Sequence, residues 1–143
     1  MSIYCCYHSH MNLGKIVELS YALLPTHGDY RCRHASFILN RGKIVSIGIN
    51  QPGKTHPYNL KFRYRNKRNQ AISNIIGIHS ELAAIIKLGR HSLQGFDVVN
   101  TRIDRNDKLA LARPCHGCID MLHQLGVNNV YYSNNQGGFE KFN

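Results

Sequence analysis

Helical and extended segments alternate along this sequence, with glycine or proline at many of their boundaries. Helices are indicated where apolar residues recur at helical spacing, and strands where β-branched and aromatic residues cluster. The predicted order is helix 13–24, strands 35–39 and 43–50, helix 80–88, strand 96–103, helix 114–125, and strands 127–133 and 139–142. This alternation predicts a three-layer α/β domain with one five-stranded mixed sheet between helices.

The connections between strands predict part of the topology. Asn40-Arg41-Gly42 joins the first two strands and is typical of a tight hairpin turn. Only residues 134–138 separate the last two strands, whereas a parallel crossover needs about a dozen residues or more. The last strand is therefore predicted to run antiparallel to the one before it.

Two groups of polar residues stand at the start of the second and third predicted helices. His79 and Glu81 begin the second helix, and Pro114 is followed by Cys115 and Cys118 in the third. A spacing of three residues directs both sulfurs to one side of a helix, and the helix N-terminus favours the thiolate form. One imidazole and two thiolates give three protein ligands for Zn²⁺ and leave its fourth position for water.

Glu81 lies beside a predicted ligand and is itself not needed as one. A carboxylate there can accept a proton from water, pass it to a ring nitrogen and later protonate a departing amine. These steps constitute hydrolytic deamination. A His-x-Glu with a downstream Pro-Cys-x-x-Cys is a signature of zinc nucleobase deaminases, so Glu81 is predicted to be the general acid and base.

Over residues 33–142 the sequence resembles the cytidine deaminase-like superfamily, both in these motifs and in the order of its elements. The resemblance implies a bound zinc ion with His79, Cys115 and Cys118 as ligands and Glu81 as the proton carrier. It also implies a three-layer fold and conversion of a cytosine moiety to uracil with release of ammonia. Proteins of this superfamily commonly form homo-oligomers, so self-association is expected.

The resemblance extends to residues that would line a substrate pocket. Family members tend to carry a Gly-x-Asn after the second strand whose asparagine contacts the sugar, and here Asn50 ends such a motif. Between the histidine and the glutamate of the first motif the commonest residue is alanine, whereas this chain has Ser80. The residues expected to contact substrate are Asn50, Ser80, His34, Pro114 and His116.

Charge is concentrated in one interval of the sequence. The net charge is +10, and between Asp29 and Glu81 there are ten of the 18 basic residues and no acidic residue. Such a field attracts phosphorylated molecules or polyanions. Residues 51–74 are predicted to form a long functional loop, whose interleaved bases and aromatics suit stacking on nucleobases and equally suit a solvated strand edge. The predicted phosphate or nucleic-acid contacts are Lys54, Lys61, Arg63 and Arg65.

Length and cysteine content favour one intracellular domain. The 143 residues suffice for a single core, with residues 1–11 as a flexible N-terminus. An odd number of cysteines without a recognisable signal peptide indicates the reducing cytoplasm, and no apolar stretch approaches the roughly 20 residues that cross a bilayer. The N-terminal group Cys5, Cys6, His8 and His10 is more typical of a poorly ordered terminus than of a metal site.

The substrate stays open between several classes. A nucleotide such as dCMP or CMP suits the charge, whereas an antiparallel last strand resembles the free-cytidine deaminases more than the dCMP, tRNA-adenosine or polynucleotide branches. Cytosine in single-stranded DNA or RNA is an alternative, since the reacting base must leave its stack. Further alternatives are another amino-heterocycle, a nucleic-acid-binding protein that no longer reacts, and a structural zinc site, which would need a fourth protein ligand.

Overall fold

The computed structural model describes residues 11–24, 33–54, 56–57 and 77–143. Within these ranges the chain forms three helices and six strands. In order they are α1 (Leu13–Leu23), β1 (Arg33–Asn40), β2 (Lys43–Ile49), α2 (Ser80–Leu88), β3 (Phe96–Ile103), β4 (Leu109–Ala110), α3 (His116–Gln124), β5 (Asn129–Ser133) and β6 (Phe139–Lys141). The predicted alternation is confirmed, and the ends of the predicted elements differ from the observed ones by at most two residues.

The strands form one mixed sheet with the main order β2-β1-β3-β5-β6. The central neighbours β3 and β5 are parallel, whereas the pairs β1–β2, β1–β3 and β5–β6 are antiparallel. The predicted direction of the last strand is therefore confirmed. The first hairpin also forms as predicted, because Arg41 and Gly42 take the positive φ angles of 51° and 80° that a tight turn between twisted strands needs.

The short strand β4 was not predicted. It pairs antiparallel with the end of β3, where Leu109 lies opposite Ile103. The guanidinium of Arg33 holds the connection by hydrogen bonds to the Asp104 carbonyl and, at 2.8 Å, to the Asp107 carboxylate. Two residues are too few to show an alternating pattern, so this polar segment reads as a loop in the sequence.

Side chains of the sheet alternate between two apolar layers. On one face, Phe37 packs in a cluster with Ile16 of α1, and on the other face Ile38 packs with Leu82 of α2 and Leu122 of α3. This alternation is the two-residue period of a strand that is covered on both sides. The helices therefore form the outer layers of the predicted α-β-α sandwich.

Some predictions fall outside the described residues. These are the flexible segment except Met11, the group Cys5, Cys6, His8 and His10, the cations Lys61, Arg63 and Arg65, and most of the 51–74 loop. Met11 itself is buried against the α1 cluster. Among the described residues, no helix has the length and apolar character that crossing a bilayer requires.

Gly48 of β2 lets α2 approach the sheet closely. A β-carbon at this position would overlap backbone atoms of Ser80 and Ala84 and would lie 2.8 Å from the carbonyl carbon of Ala83. These are backbone atoms of a helix and have little room to yield. Only glycine therefore allows the first turns of α2 to rest on β2, where the second helix begins beside the sheet.

We expect Gly48→Ala to destabilise the protein by about 1–3 kcal/mol or more, because the added methyl group overpacks the contact between α2 and β2. Gly14→Ala in α1 is the control, since its β-carbon would lie 3.5 Å from Asn12 Oδ1 and alanine is the better helix former. Urea unfolding of both variants measures the effect. A Gly48→Ala protein as stable as Gly14→Ala would contradict the close-contact argument.

Candidate metal centre

The N-termini of α2 and α3 meet at one edge of the sheet. Each helix leads into one of the parallel neighbours β3 and β5, so both helices begin on the same side. His79 is the N-cap residue of α2, and Cys115 is the N-cap residue of α3. The fold thus brings together two motifs that are well separated in the sequence.

The start of α3 differs slightly from the prediction that Pro114 opens it. Cys115 caps the helix with its own sulfur, which accepts the backbone N–H of Cys118 at 3.5 Å. Pro114 therefore precedes the cap and is buried there. Proline at this point still leaves no amide hydrogen unpaired.

Three potential ligand atoms converge between the two helix ends. His79 Nδ1 lies 3.6 Å from Cys115 Sγ and 3.4 Å from Cys118 Sγ, and the three atoms lie within 4.8 Å of one another. Tetrahedral zinc with its usual bond lengths separates a nitrogen and a sulfur ligand by about 3.6 Å. The donor set and its spacing therefore fit a zinc ion.

The cluster has the composition of a site with an open position. Among the described histidine, cysteine, aspartate and glutamate residues, none joins His79, Cys115 and Cys118 as a fourth member. His116, between the two cysteines in sequence, is exposed to solvent. A structural zinc site closed by four protein ligands would need a donor that the described residues do not supply.

The pKa values of the two thiols are shifted in opposite directions. The pKa of Cys115 is lowered to about 4, chiefly because Cys118 donates a hydrogen bond to it, with a further contribution from His79 and an opposing one from burial. The pKa of Cys118 is raised because its thiol donates to Cys115, is buried and lies near Glu81. A thiolate thus exists at neutral pH even before a metal displaces the second proton.

Glu81 lies beside this cluster and is almost fully buried, with 5% of its surface exposed. Its Oε1 atom accepts a hydrogen bond from Asn100 Nδ2 at 2.9 Å, whereas Oε2 is buried with no hydrogen-bond partner among the described residues. Burial raises the pKa of the Glu81 carboxyl, and the nearby Cys118 and His79 oppose the effect. A buried carboxylate with one unpartnered oxygen is costly unless another group occupies that position.

Asn100 and Ser36 support Glu81 from the sheet, and neither was predicted as a site residue. They are directly opposite each other on β1 and β3, and Ser36 Oγ donates to Asn100 Oδ1 at 2.6 Å. Ser36 Oγ also lies 2.7 Å from Ser80 Oγ. The signal in the sequence was a polar residue inside each apolar strand, in Ala-Ser-Phe and Val-Asn-Thr.

A cavity of about 300 Å³ opens beside the cluster. Its walls are formed by residues of the His/Cys/Cys cluster, Glu81 and neighbouring residues. The lining residues are His34, Asn50, Pro52, Gly77, Ile78, His79, Ser80, Glu81, Arg113 and Cys115. The volume is at the lower end of that of small-molecule sites, and the mixture of apolar walls with a few polar groups is typical of them.

His34 and Asn50 form one wall of the cavity. Asn50 Oδ1 accepts the backbone N–H of His34 at 3.0 Å, and the backbone N–H of Asn50 donates to the His34 carbonyl at 3.3 Å. Burial, assisted by the positive charges of Arg102 and His79, lowers the pKa of His34 to about 4. The His34 ring is therefore neutral at physiological pH.

The structure thus brings most of the predicted site residues into one place. His34, Asn50, Ser80, Glu81 and two of the three proposed metal ligands line the cavity, and Cys118 completes the cluster behind it. Pro114, His116 and Lys54 are not among the lining residues, and Lys54 is exposed on the turn after Gln51. The roles of these residues toward a substrate stay predictions.

Comparison with solved structures identifies the fold. The dCMP deaminase from the cyanophage S-TIM5 in apo form matches with a TM-score of 0.52 and 24% sequence identity, over 84% of this chain and 78% of that chain. The same enzyme in complex with dCMP and dUMP matches with a TM-score of 0.50 and 21% identity, over 82% and 75% of the two chains. No protein-family model and no curated protein matches the sequence.

The chain therefore has the fold of the cytidine deaminase-like superfamily, as the two motifs and the order of elements predicted. These structural neighbours are dCMP deaminases. The antiparallel β6 is instead the feature by which the sequence resembles free-cytidine deaminases.

We expect the purified protein to hold about one equivalent of zinc, and Cys118→Ala to lose most of it, because two ligands bind far more weakly than three. Dialysis against buffered Zn²⁺ followed by metal analysis measures the stoichiometry. The control is His116→Ala, which removes an exposed donor between the cysteines and should keep the metal. A Cys118→Ala protein that is folded and fully loaded would contradict the proposed ligand set.

Proposed function

We propose that this protein is a zinc-dependent hydrolase that deaminates the cytosine of a small nucleotide such as dCMP or CMP. The observation that carries the proposal is the convergence of His79, Cys115 and Cys118 beside the buried carboxylate of Glu81 at a cavity. Cytosine and water would give uracil and ammonia. The fold shared with dCMP deaminases supports this choice of substrate.

Three side chains would hold the metal in this proposal. His79 would bind through Nδ1, and Cys115 and Cys118 through their sulfurs, since these atoms already lie at ligand spacing. A zinc ion held there would lower the pKa of a water molecule in its remaining position toward about 7. The low pKa of Cys115 prepares one thiolate for this role.

Glu81 would carry the protons through its Oε2 atom. The atom is buried and unpartnered among the described residues, so it is available to accept a proton from the attacking water. Glu81 would then protonate the ring nitrogen next to the amino-bearing carbon, take up the remaining proton of the added hydroxyl group and deliver it to the departing amine. Burial raises the pKa of this carboxyl, and a raised pKa favours a group that holds a proton between transfers.

Arg113 supports an anionic substrate over an uncharged nucleoside. It lines the same cavity as His79 and Glu81, and its guanidinium carbon lies 4.8 Å from the centre of the Phe142 ring. Among the described residues, no carboxylate lies within ion-pair distance of it. A cation held against a ring without an acidic partner is suited to a phosphate group of the substrate.

The second candidate is deamination of cytosine in single-stranded DNA or RNA. It is favoured by the interval of ten basic residues without an acid between Asp29 and Glu81, which exceeds what one phosphate requires. The dependence of turnover on salt concentration distinguishes a polymer substrate from a mononucleotide. Turnover of a polymer that makes many phosphate contacts falls steeply as salt rises, whereas turnover of a mononucleotide falls little.

We expect Glu81→Ala to lower kcat for dCMP by at least about 100-fold while the protein keeps its zinc, because the proton carrier is lost and the ligands remain. Ammonia release and metal analysis on the same sample measure both quantities. Glu140→Ala, which removes an exposed carboxylate of β6, is the matched control and should be fully active. Undiminished ammonia release by Glu81→Ala would reject the assignment of Glu81.

The same variant distinguishes an enzyme from a binding protein on this scaffold. If the natural role were nucleic-acid binding alone, wild-type protein would release no ammonia from any cytosine compound, and Glu81→Ala would bind nucleic acid as well as the wild type. Offering adenine, guanine and pterin compounds in parallel tests the other amino-heterocycles.

We expect Arg113→Gln to raise the KM for dCMP by about 10- to 100-fold and to leave the KM for deoxycytidine unchanged, since a charged hydrogen bond to the phosphate is lost. Arg90→Gln is the matched control: its guanidinium lies 5.5 Å from the centre of the Phe96 ring, away from the cavity. Equal effects of Arg113→Gln on nucleotide and nucleoside would contradict a phosphate contact.

We also propose that the protein self-associates and is located in the cytoplasm. Self-association is expected from the resemblance, and analytical ultracentrifugation measures it. A cytoplasmic location is expected from the odd number of cysteines, and cell fractionation measures it.

A further inference from the structure

A chain of buried hydrogen bonds leads from α2 through the sheet and back to Glu81. Ser80 Oγ lies 2.7 Å from Ser36 Oγ, Ser36 Oγ donates to Asn100 Oδ1 at 2.6 Å, and Asn100 Nδ2 donates to Glu81 Oε1 at 2.9 Å. Ser36, Ser80 and Asn100 are each at most 1% exposed. No part of the proposed reaction described so far needs Asn100 or Ser36.

The direction of these bonds is fixed by chemistry. An amide nitrogen can only donate, so the Glu81 oxygen that faces Asn100 has to act as an acceptor. The hydroxyl of Ser36 donates to the amide oxygen and thereby keeps the Asn100 amide from turning over. Since Ser36 spends its only hydrogen in this way, the single hydroxyl hydrogen of Ser80 is directed to Ser36 Oγ at 2.7 Å or to Glu81 Oε1 at 3.4 Å.

We propose that Asn100, oriented by Ser36, is the residue that positions Glu81 for proton transfer. The inference rests on the proposed function and names how its acid and base is held. Asn100 ties Oε1 to the sheet, and the carboxylate then keeps Oε2 as its one unpartnered oxygen among the described residues. Protons are exchanged at Oε2, while Oε1 stays an acceptor in both forms of Glu81.

The location of the pair favours this role over simple filling of the core. Val98 and Ile38 occupy the next positions on the same face of β3 and β1, and both pack in the apolar cluster under α2. Ser36 and Asn100 replace apolar side chains where the sheet passes beneath Glu81, whereas Ser46, a further buried hydroxyl on this face, donates to the Ala84 carbonyl at 2.7 Å. A buried polar pair costs stability unless its bonds are needed, and here they end on the carboxylate.

The experiment compares kcat and KM for dCMP in zinc-loaded Asn100→Leu, Asn100→Ala and Ser36→Ala. We expect both Asn100 variants to lose about 10- to 100-fold in kcat, with KM within twofold of wild type and zinc content unchanged, because Glu81 is misplaced and the pocket is not. Ser36→Ala should show a smaller loss of the same kind. Wild-type kcat in a folded Asn100→Leu protein would overturn the proposal.

The matched control is Ser20 of α1, which contacts Thr101, the residue after Asn100 on β3. Ser20 Oγ and Thr101 Oγ1 are 2.6 Å apart and fully buried, and they belong to the side of the sheet that α1 covers. Ser20→Ala therefore removes a buried hydrogen bond without touching Glu81. It should lower the urea midpoint as Ser36→Ala does and leave kcat unchanged. A general loss of kcat with stability, in the control as well, would overturn a positioning role.

A second measurement does not depend on turnover. The urea midpoints of Asn100→Ala, Glu81→Ala and the double variant form a cycle, and contact between the two side chains predicts shifts that are clearly less than additive. The cycle of Ser20→Ala with Glu81→Ala should be additive. Additive shifts in the first cycle would overturn the inference. If wild-type protein deaminated no cytosine compound, the proposed function would fail, and this cycle would still decide whether Asn100 holds Glu81.

Discussion

The close contact between α2 and β2 at Gly48 is the constraint on which the rest of the site depends. Because no side chain separates the helix from the strand, the first turn of α2 lies directly over the sheet. His79 then caps the helix at the sheet edge, and Glu81 is buried above β1 and β3. The parallel pairing of β3 and β5 brings the N-terminus of α3 to the same edge. A few backbone features thus determine where the reactive side chains meet.

The ionisable groups of the site differ in how tightly they hold a proton, because the pKa values of Cys115 and His34 are lowered and those of Cys118, His79 and Glu81 are raised. Cys115 is a thiolate near neutral pH, the His34 ring is neutral, and burial favours the protonated form of Glu81. These states have different causes, because a hydrogen bond acts on Cys115 and desolvation on the other two. The meeting of the two helix N-termini thereby places a thiolate and a buried carboxyl side by side.

The sequence predicted the order of elements, the antiparallel last strand and the members of the metal cluster, because these depend on local periodicity, short connections and paired motifs. It did not predict Asn100 and Ser36, since their partnership arises from register between strands that are far apart in the chain. The place of Arg113 in the cavity wall was not predicted for a related reason, since a lone cation before Pro114 shows no pattern. β4 is too short for periodicity to reveal. The spacing of residues within one helix or strand can be recognised in a sequence, whereas contacts between distant elements can be identified only in the folded structure.

The three proposed metal ligands come from two helices that follow different strands, so an ion held by them would cross-link α2 and α3. A ligand that binds only the folded state stabilises it in proportion to the logarithm of its free concentration. Supply of metal would consequently act on the lifetime of the polypeptide as well as on its chemistry. With an ion bound as proposed, the folded chain would therefore be less stable, and more open to proteolysis, wherever zinc is scarce.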